Sequence, residues 1–156
     1  MKYFSKKVRN EHGVFDSETE YGRFLYLKHL EDIGEIYELK QQVEFEIIPK
    51  LIRIDEIRLK TKTKLVERVE ERAAHYTCDF AYIERGGKFI IEEVKTKGTM
   101  LARDYPLRKK LIKQLIKKHN DEMGFTDWEF REFVPPTKPK RKKNDTALRT
   151  KKSSKV

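Results

Sequence analysis

Cysteine occurs once, at Cys78, so no disulfide can close within the chain, and such usage fits a reducing, cytoplasmic setting. Long hydrophobic runs are missing as well. No apolar stretch approaches the roughly 20 residues needed to span a bilayer. The opening Met1-Lys2-Tyr3-Phe4-Ser5-Lys6-Lys7 lacks the hydrophobic segment of a secretory signal. A soluble, cytoplasmic protein with no membrane partner is expected. His12, His29, His75 and His119 are scattered without metal-ligand spacing, and there is no Cys-x-x-Cys pair and no glycine-rich phosphate loop. Disulfide scaffolds, zinc modules and loop-cradled nucleotides are thereby set aside.

What the chain does have is charge. Charged residues make up 40% of it and hydrophobic ones 37%, over 156 residues, which suits one domain with one core. From Lys138 onward there are nine Lys/Arg against one acid, Asp145, so most of the net +10 sits at that end. The residues before it hold 27 basic and 25 acidic groups and are close to neutral. The basic run follows Pro135-Pro136-Thr137-Lys138-Pro139 and has no hydrophobic periodicity. Residues 1–134 are therefore expected to fold, and residues 135–156 to form a disordered basic tail. Lys140, Arg141, Lys142 and Lys143 suit phosphate backbones, where each neutralised charge adds salt-sensitive affinity. A merely solubilising tail is the plainer alternative.

A first helix opens at Asp16-Ser17-Glu18-Thr19-Glu20, with Ser17 as N-cap and Glu20 three residues on, a capping-box arrangement. Tyr21, Phe24, Leu25 and Leu27 supply an apolar stripe, and Ile33-Gly34 ends it. On these grounds Glu20 is a capping residue that returns a hydrogen bond to the Ser17 amide. Residues 43–54 read as a strand interrupted or ended near Pro49. Residues 55–70 are of mixed charge and fit a hairpin, a short helix or a loop equally well. Residues 72–83 and 89–94 read as two strands joined by Glu84-Arg85-Gly86-Gly87-Lys88. A second helix has Pro106 in its first turn, where a missing amide is harmless. Leu107, Leu111 and Leu115, with Ile112 and Ile116, give its core face; Arg108, Lys109, Lys113 and Lys117 give a basic face. Residues 126–134 read as a last strand.

The chemistry gathers on the central hairpin. Side chains alternate along a strand, so Glu93 and Lys95 point the same way. Asp79 shares a face with Thr77 and Ala81, while Tyr76, Cys78, Phe80 and Tyr82 form the opposite, core-facing row. Two carboxylates and an ammonium on one face can hold a divalent cation and activate water, the parts needed to cut a phosphodiester. Each also has an ordinary alternative: a surface carboxylate for Asp79, and a same-face ion pair for Glu93 and Lys95 worth at most about 1 kcal/mol.

Taken with the element order, Tyr76-Thr77-Cys78-Asp79-Phe80 followed by Glu92-Glu93-Val94-Lys95-Thr96-Lys97-Gly98 resembles the PD-(D/E)XK nuclease superfamily. Within it the chain is similar to a small phage and prophage domain family, and to the phage endonuclease I type of Holliday-junction resolvase. The resemblance covers residues 13–134. It implies an α/β fold: one restriction-endonuclease-like domain with a central mixed sheet flanked by helices. It further implies a Mg²⁺-dependent endonuclease, with Mn²⁺ able to substitute, acting on branched DNA and, for paired cuts at a junction, as a homodimer. By position, Asp79, Glu93 and Glu20 would be the metal ligands, and Lys95 would stabilise charge on the phosphate or orient the attacking water. Arg108 stands where relatives often have lysine. Cys78 stands where the superfamily's name has proline; its strand parity makes it a small core residue rather than a nucleophile. Lys97, Lys109 and Lys113 complete the expected DNA contacts. Two alternatives stay open: a non-cleaving nucleic-acid-binding accessory protein with the same fold, and a nicking or restriction-type nuclease on duplex DNA.

Overall fold

A computed structural model describes residues 6–98, 100 and 103–136. The expected tail beyond Pro136, with Lys140, Arg141, Lys142 and Lys143, lies outside the described residues. The chain forms β1 (Val8–Asn10), β2 (Gly13–Phe15), α1 (Glu18–Asp32), β3 (Ile36–Ile48), β4 (Leu51–Arg58), β5 (Thr63–Glu71), β6 (Ala74–Glu84), β7 (Phe89–Val94), α2 (Tyr105–Met123) and β8 (Trp128–Phe133). The central sheet has the order β3-β6-β7-β8. Its pairs are antiparallel except β7–β8, which is parallel, so the sheet is mixed as expected. The parallel pair is joined through α2, the usual crossover for such a connection.

Each face of the sheet is covered by one helix. Phe24 and Leu27 of α1 pack with Phe15, Ile36, Phe80, Tyr82 and Ile90. Ile112 and Ile116 of α2 pack with Tyr76, Cys78, Ala81 and Ile91 on the other face. Ile90 and Ile91 are neighbours on β7 and go to opposite cores, as strand alternation requires.

β6 and β3 depart from that alternation. Tyr76 and Cys78 face α2, whereas Phe80 and Tyr82 face α1. The single row expected for these four residues is split at Asp79. β3 changes in step: Leu39 packs toward α1, while Val43, Phe45 and Ile47 pack toward α2. The cause lies at Gln42, whose φ of 51° is left-handed and turns the following side chains to the other face. The ladder runs from Gln41↔Phe80 to Val43↔Cys78 around this point without a register shift. Asp79 therefore sits opposite the strained Gln42, between the two cores.

Of the three readings open for residues 55–70, the hairpin holds: β4 and β5 pair as a separate two-stranded ribbon. Two further expectations change. The strand expected from residue 43 begins at Ile36, and Pro49 separates it from β4. Leu25 and Leu107, both assigned to core faces, are exposed. Ile112 and Ile116 are buried as expected and are joined by Tyr105, so the buried stripe of α2 is rotated from the leucine row.

Candidate active site

The first helix delivers Glu20 through its cap. The Glu20 amide donates to Ser17 Oγ at 3.1 Å, which is half of a capping box. The returning half differs from expectation, because the Glu20 carboxylate accepts from the Asp16 amide at 2.9 Å, not from Ser17. Its other oxygen accepts from Gln42 Nε2 at 3.1 Å. Glu20 is only 5% exposed. Burial is the main cause that raises its pKa, with further upward contributions from Asp16 and Glu93 opposed by its two hydrogen bonds.

Asp79 Oδ2 accepts from the Val94 amide at 2.7 Å, which ties β6 to the end of β7 just where their ladder stops. Its pKa is raised to about 7. Burial contributes most, then the charges of Glu93 and Glu20; the Val94 amide and Lys95 pull the other way. Glu93, 7% exposed, is held on both oxygens. Lys95 Nζ lies 2.6 Å from Oε1, and Tyr76 donates its hydroxyl to Oε2 at 2.6 Å. The shared face of Glu93 and Lys95 is thus as expected. Lys95 Nζ also stands 4.4 Å from the centre of the Tyr105 ring, a cation–π contact. The Tyr105 hydroxyl is buried with no hydrogen-bond partner among the described residues. Burial, then the Glu93 charge, raises the pKa of Tyr76 and of Tyr105 alike, so both stay protonated.

Glu20, Asp79, Glu93 and Lys95 therefore come from α1, β6 and the end of β7 into one electrostatically coupled group. Among the described residues, no three His, Cys, Asp or Glu side chains converge closely enough to hold a metal ion as placed. The donors are oxygen-only and suit a hard divalent cation. Glu20 is taken up by Gln42 and the Asp16 amide, and Glu93 by Tyr76 and Lys95. Joint ligation would require these carboxylates to draw together and offer a cation their remaining lone pairs.

The other assigned residues sit further out. Arg108 places its guanidinium 5.5 Å from the centre of the Tyr76 ring and 3.6 Å from Asp104, so it borders the site. Lys109 is paired with Glu132, and Lys113 lies over the Phe130 ring at 5.8 Å. Together with Lys110 and Lys117 they line a shallow basic depression on α2. Lys97 is exposed, just past Lys95. Cys78 is buried, and burial pushes its thiol up to about 12, consistent with a core residue and not a nucleophile. Among the described residues, no helix is long and apolar enough to cross a membrane.

Sequence reasoning missed Gln42, Tyr76 and Tyr105. Tyr76 was placed on the wrong side of the strand by uninterrupted alternation, and nothing in the sequence marks Gln42 as left-handed, since glutamine is not a residue that favours that region. A signal for Tyr105 was available: an aromatic immediately before the helix-opening Pro106.

The chain belongs to the DUF1064 family, described as a protein family of unknown function, whose model matches residues 1–126. No curated protein and no solved structure matches it.

Proposed function

We propose that this protein is a divalent-metal-dependent DNA endonuclease whose site is Asp79, Glu93, Lys95 and Glu20, acting on branched DNA as a Holliday-junction resolvase-like enzyme. The observation that carries the reading is the buried Asp79 carboxyl, whose proton affinity is raised first by burial and then by the charges of Glu93 and Glu20. Carboxylates that raise one another's proton affinity in a partly dry site are stabilised by a nearby cation or by a proton. The motif spacing from Asp79 to Lys95, on a mixed sheet flanked by two helices, is the second support.

Asp79, Glu93 and Glu20 would hold the ion, Mg²⁺ or in its place Mn²⁺. Bound there, it supplies a water of lowered pKa and neutralises charge on the phosphoryl oxygens. The rest falls to the chain's own groups. The Val94 amide fixes the Asp79 carboxylate in orientation, so its ionised form is positioned without searching rotamers. The Lys95 ammonium, kept at Glu93 and against the Tyr105 ring, would donate to a non-bridging phosphate oxygen as negative charge grows there. Tyr76 holds the second Glu93 oxygen and keeps that carboxylate facing Lys95. Arg108 and the lysines of α2 would contact flanking phosphates. Paired cuts at a four-way junction would call for a homodimer.

One observation favours a second reading, a nucleic-acid-binding protein that does not cut: Glu20 and Glu93 are already satisfied within the chain. The two readings separate on labelled four-way junction, flap, nicked and linear duplex DNA, each with Mg²⁺, Mn²⁺ or EDTA. Metal-dependent cutting confined to branched substrates is the expected result. Cutting of linear duplex alone would keep the nuclease and remove the junction. Binding without cutting on every substrate would leave the accessory protein.

A further inference from the structure

The β4–β5 ribbon belongs to no part of the site described above. Its strands pair with each other over eight positions and, among the described residues, form no ladder with the central sheet. It leaves the sheet between Ile48 of β3 and Ala74 of β6, which are paired at one end of that ladder. The end of β7 that carries Glu93 and Val94 runs toward the same end, because β7 is antiparallel to β6. Asp79 stands midway along β6, and Glu93 and Val94 lie on its ribbon side, whereas the β6–β7 turn occupies the far end. At about 3.3 Å per residue the eight residues of β4 carry the apex roughly 25 Å from its root.

Charge on the ribbon is sorted along its length. Midway along the stem, Asp55 is bonded by Arg53 at 2.9 Å and by Arg68 at 3.2 Å, and Glu56, Glu67, Glu70 and Glu71 stand on the same stem. At the apex, Arg58-Leu59-Lys60-Thr61-Lys62-Thr63-Lys64 carries four cations and no acid. The turn is closed by the Leu59 amide donating to the Lys62 carbonyl at 2.8 Å. Arg58, Lys60, Lys62 and Lys64 are all exposed and form no ion pair among the described residues. Arg58 pairs with Thr63 on one face of the ribbon and Lys64 with Ile57 on the other, so the cations surround the tip on both faces. An isolated two-stranded ribbon is only marginally stable in water, so a partner surface is expected for it.

We infer that this ribbon is a duplex-binding arm: its apex enters a groove of double-stranded nucleic acid, and Arg58, Lys60, Lys62 and Lys64 contact phosphates on the two flanking strands. A two-stranded ribbon fits the major groove of B-DNA, about 12 Å wide, and cations on both faces of such a ribbon meet both groove walls. The inference rests on the nucleic-acid partner proposed above but not on cleavage. It gives the protein duplex affinity that does not depend on the basic carboxyl-terminal segment. The stem also exposes Ile52, Ile54, Leu65 and Val69 on one face, the feature a second copy of the chain would use instead.

The test is binding of a fluorescein-labelled linear duplex, in EDTA, by the full chain carrying Lys60→Ala, Lys62→Ala and Lys64→Ala together. A Lys→Arg triple at the same positions runs beside it, with Arg85→Ala/Lys88→Ala at the opposite end of the sheet as the control for lost charge. The alanine triple is expected to lose about 10- to 100-fold in affinity near 0.1 M salt, and to lower the slope of log K against log salt by about 2 to 3. The arginine triple and the control should bind as wild type does. Wild-type affinity and slope in the alanine triple would overturn the inference. So would a dimer that Ile54→Ser/Leu65→Ser separates while duplex binding is untouched, since the ribbon would then be a protein interface. Failure of the nuclease reading looks different: duplex binding that follows the lysines, with no cutting under any condition.

Discussion

Asp79 meets a favourable hydrogen bond and an unfavourable environment at once. The Val94 amide stabilises its ionised form, yet burial and the neighbouring Glu93 and Glu20 charges raise its pKa to about 7. A carboxyl whose folded pKa lies above its unfolded one adds stability that is fully present below the unfolded value and is lost as pH rises through the folded value. For Asp79 that window runs from about pH 4 to about pH 7. Asp79→Asn removes the charge and keeps an acceptor for the amide. In EDTA, its stability relative to wild type should therefore grow by about 1–3 kcal/mol between pH 4 and pH 8, measured by urea unfolding. A difference that stays flat over that range would mean that Asp79 ionises without penalty. At this scale the sequence was readable wherever plain alternation holds: Glu93 and Lys95 do share a face. It misled at Tyr76, because β3 and β6 both reverse their faces, at Gln42 and at Asp79, and a left-handed glutamine carries no compositional mark.

The elements are locked together by a buried polar pair on the α1 side of the sheet. Arg23 of α1 donates to both oxygens of Glu92 at 2.7 and 2.9 Å, and Tyr82 of β6 donates to the same carboxylate at 2.8 Å. Glu92 is only 1% exposed, and the Arg23 guanidinium also lies 4.2 Å from the centre of the Phe133 ring of β8. Removing Arg23 would strand a buried carboxylate, which costs about 3–5 kcal/mol. Arg23→Ala should lower the urea midpoint accordingly, and adding Glu92→Gln should recover part of the loss by neutralising the stranded charge. No recovery in the double variant would show that Arg23 acts through its ring contacts alone. Strand alternation turns Glu92 away from Glu93, but its partner is far away in sequence and no local pattern announces it. The ribbon was equally hidden. Its turn at Lys60-Thr61 lacks the glycine or asparagine that marks most tight hairpins, so residues 55–70 looked like loop or helix as much as strand. The shifted stripe of α2 has a similar origin: Leu107 and Leu111 recur as a core row would, while the face actually buried is set by where α2 crosses β3 and β8.

At the scale of the molecule, a mixed sheet holds one helix on each face, and the carboxylates from α1, β6 and β7 meet where the two cores part. The sequence order and the paired strands with their acidic motif made that architecture legible; the separation of the cores at Gln42 and Asp79 did not show in it. The account stands on the claim that this meeting point cuts DNA. The most direct test is single-turnover cleavage of labelled branched DNA at saturating protein, with Mg²⁺ or EDTA. Wild type, Asp79→Asn and Lys95→Ala would be compared, with binding measured in parallel. The account predicts cutting by wild type only with metal, and at least about a 100-fold slower rate in each variant with DNA binding retained. Variants that cut as fast as wild type, or a wild type that binds and never cuts, would contradict it.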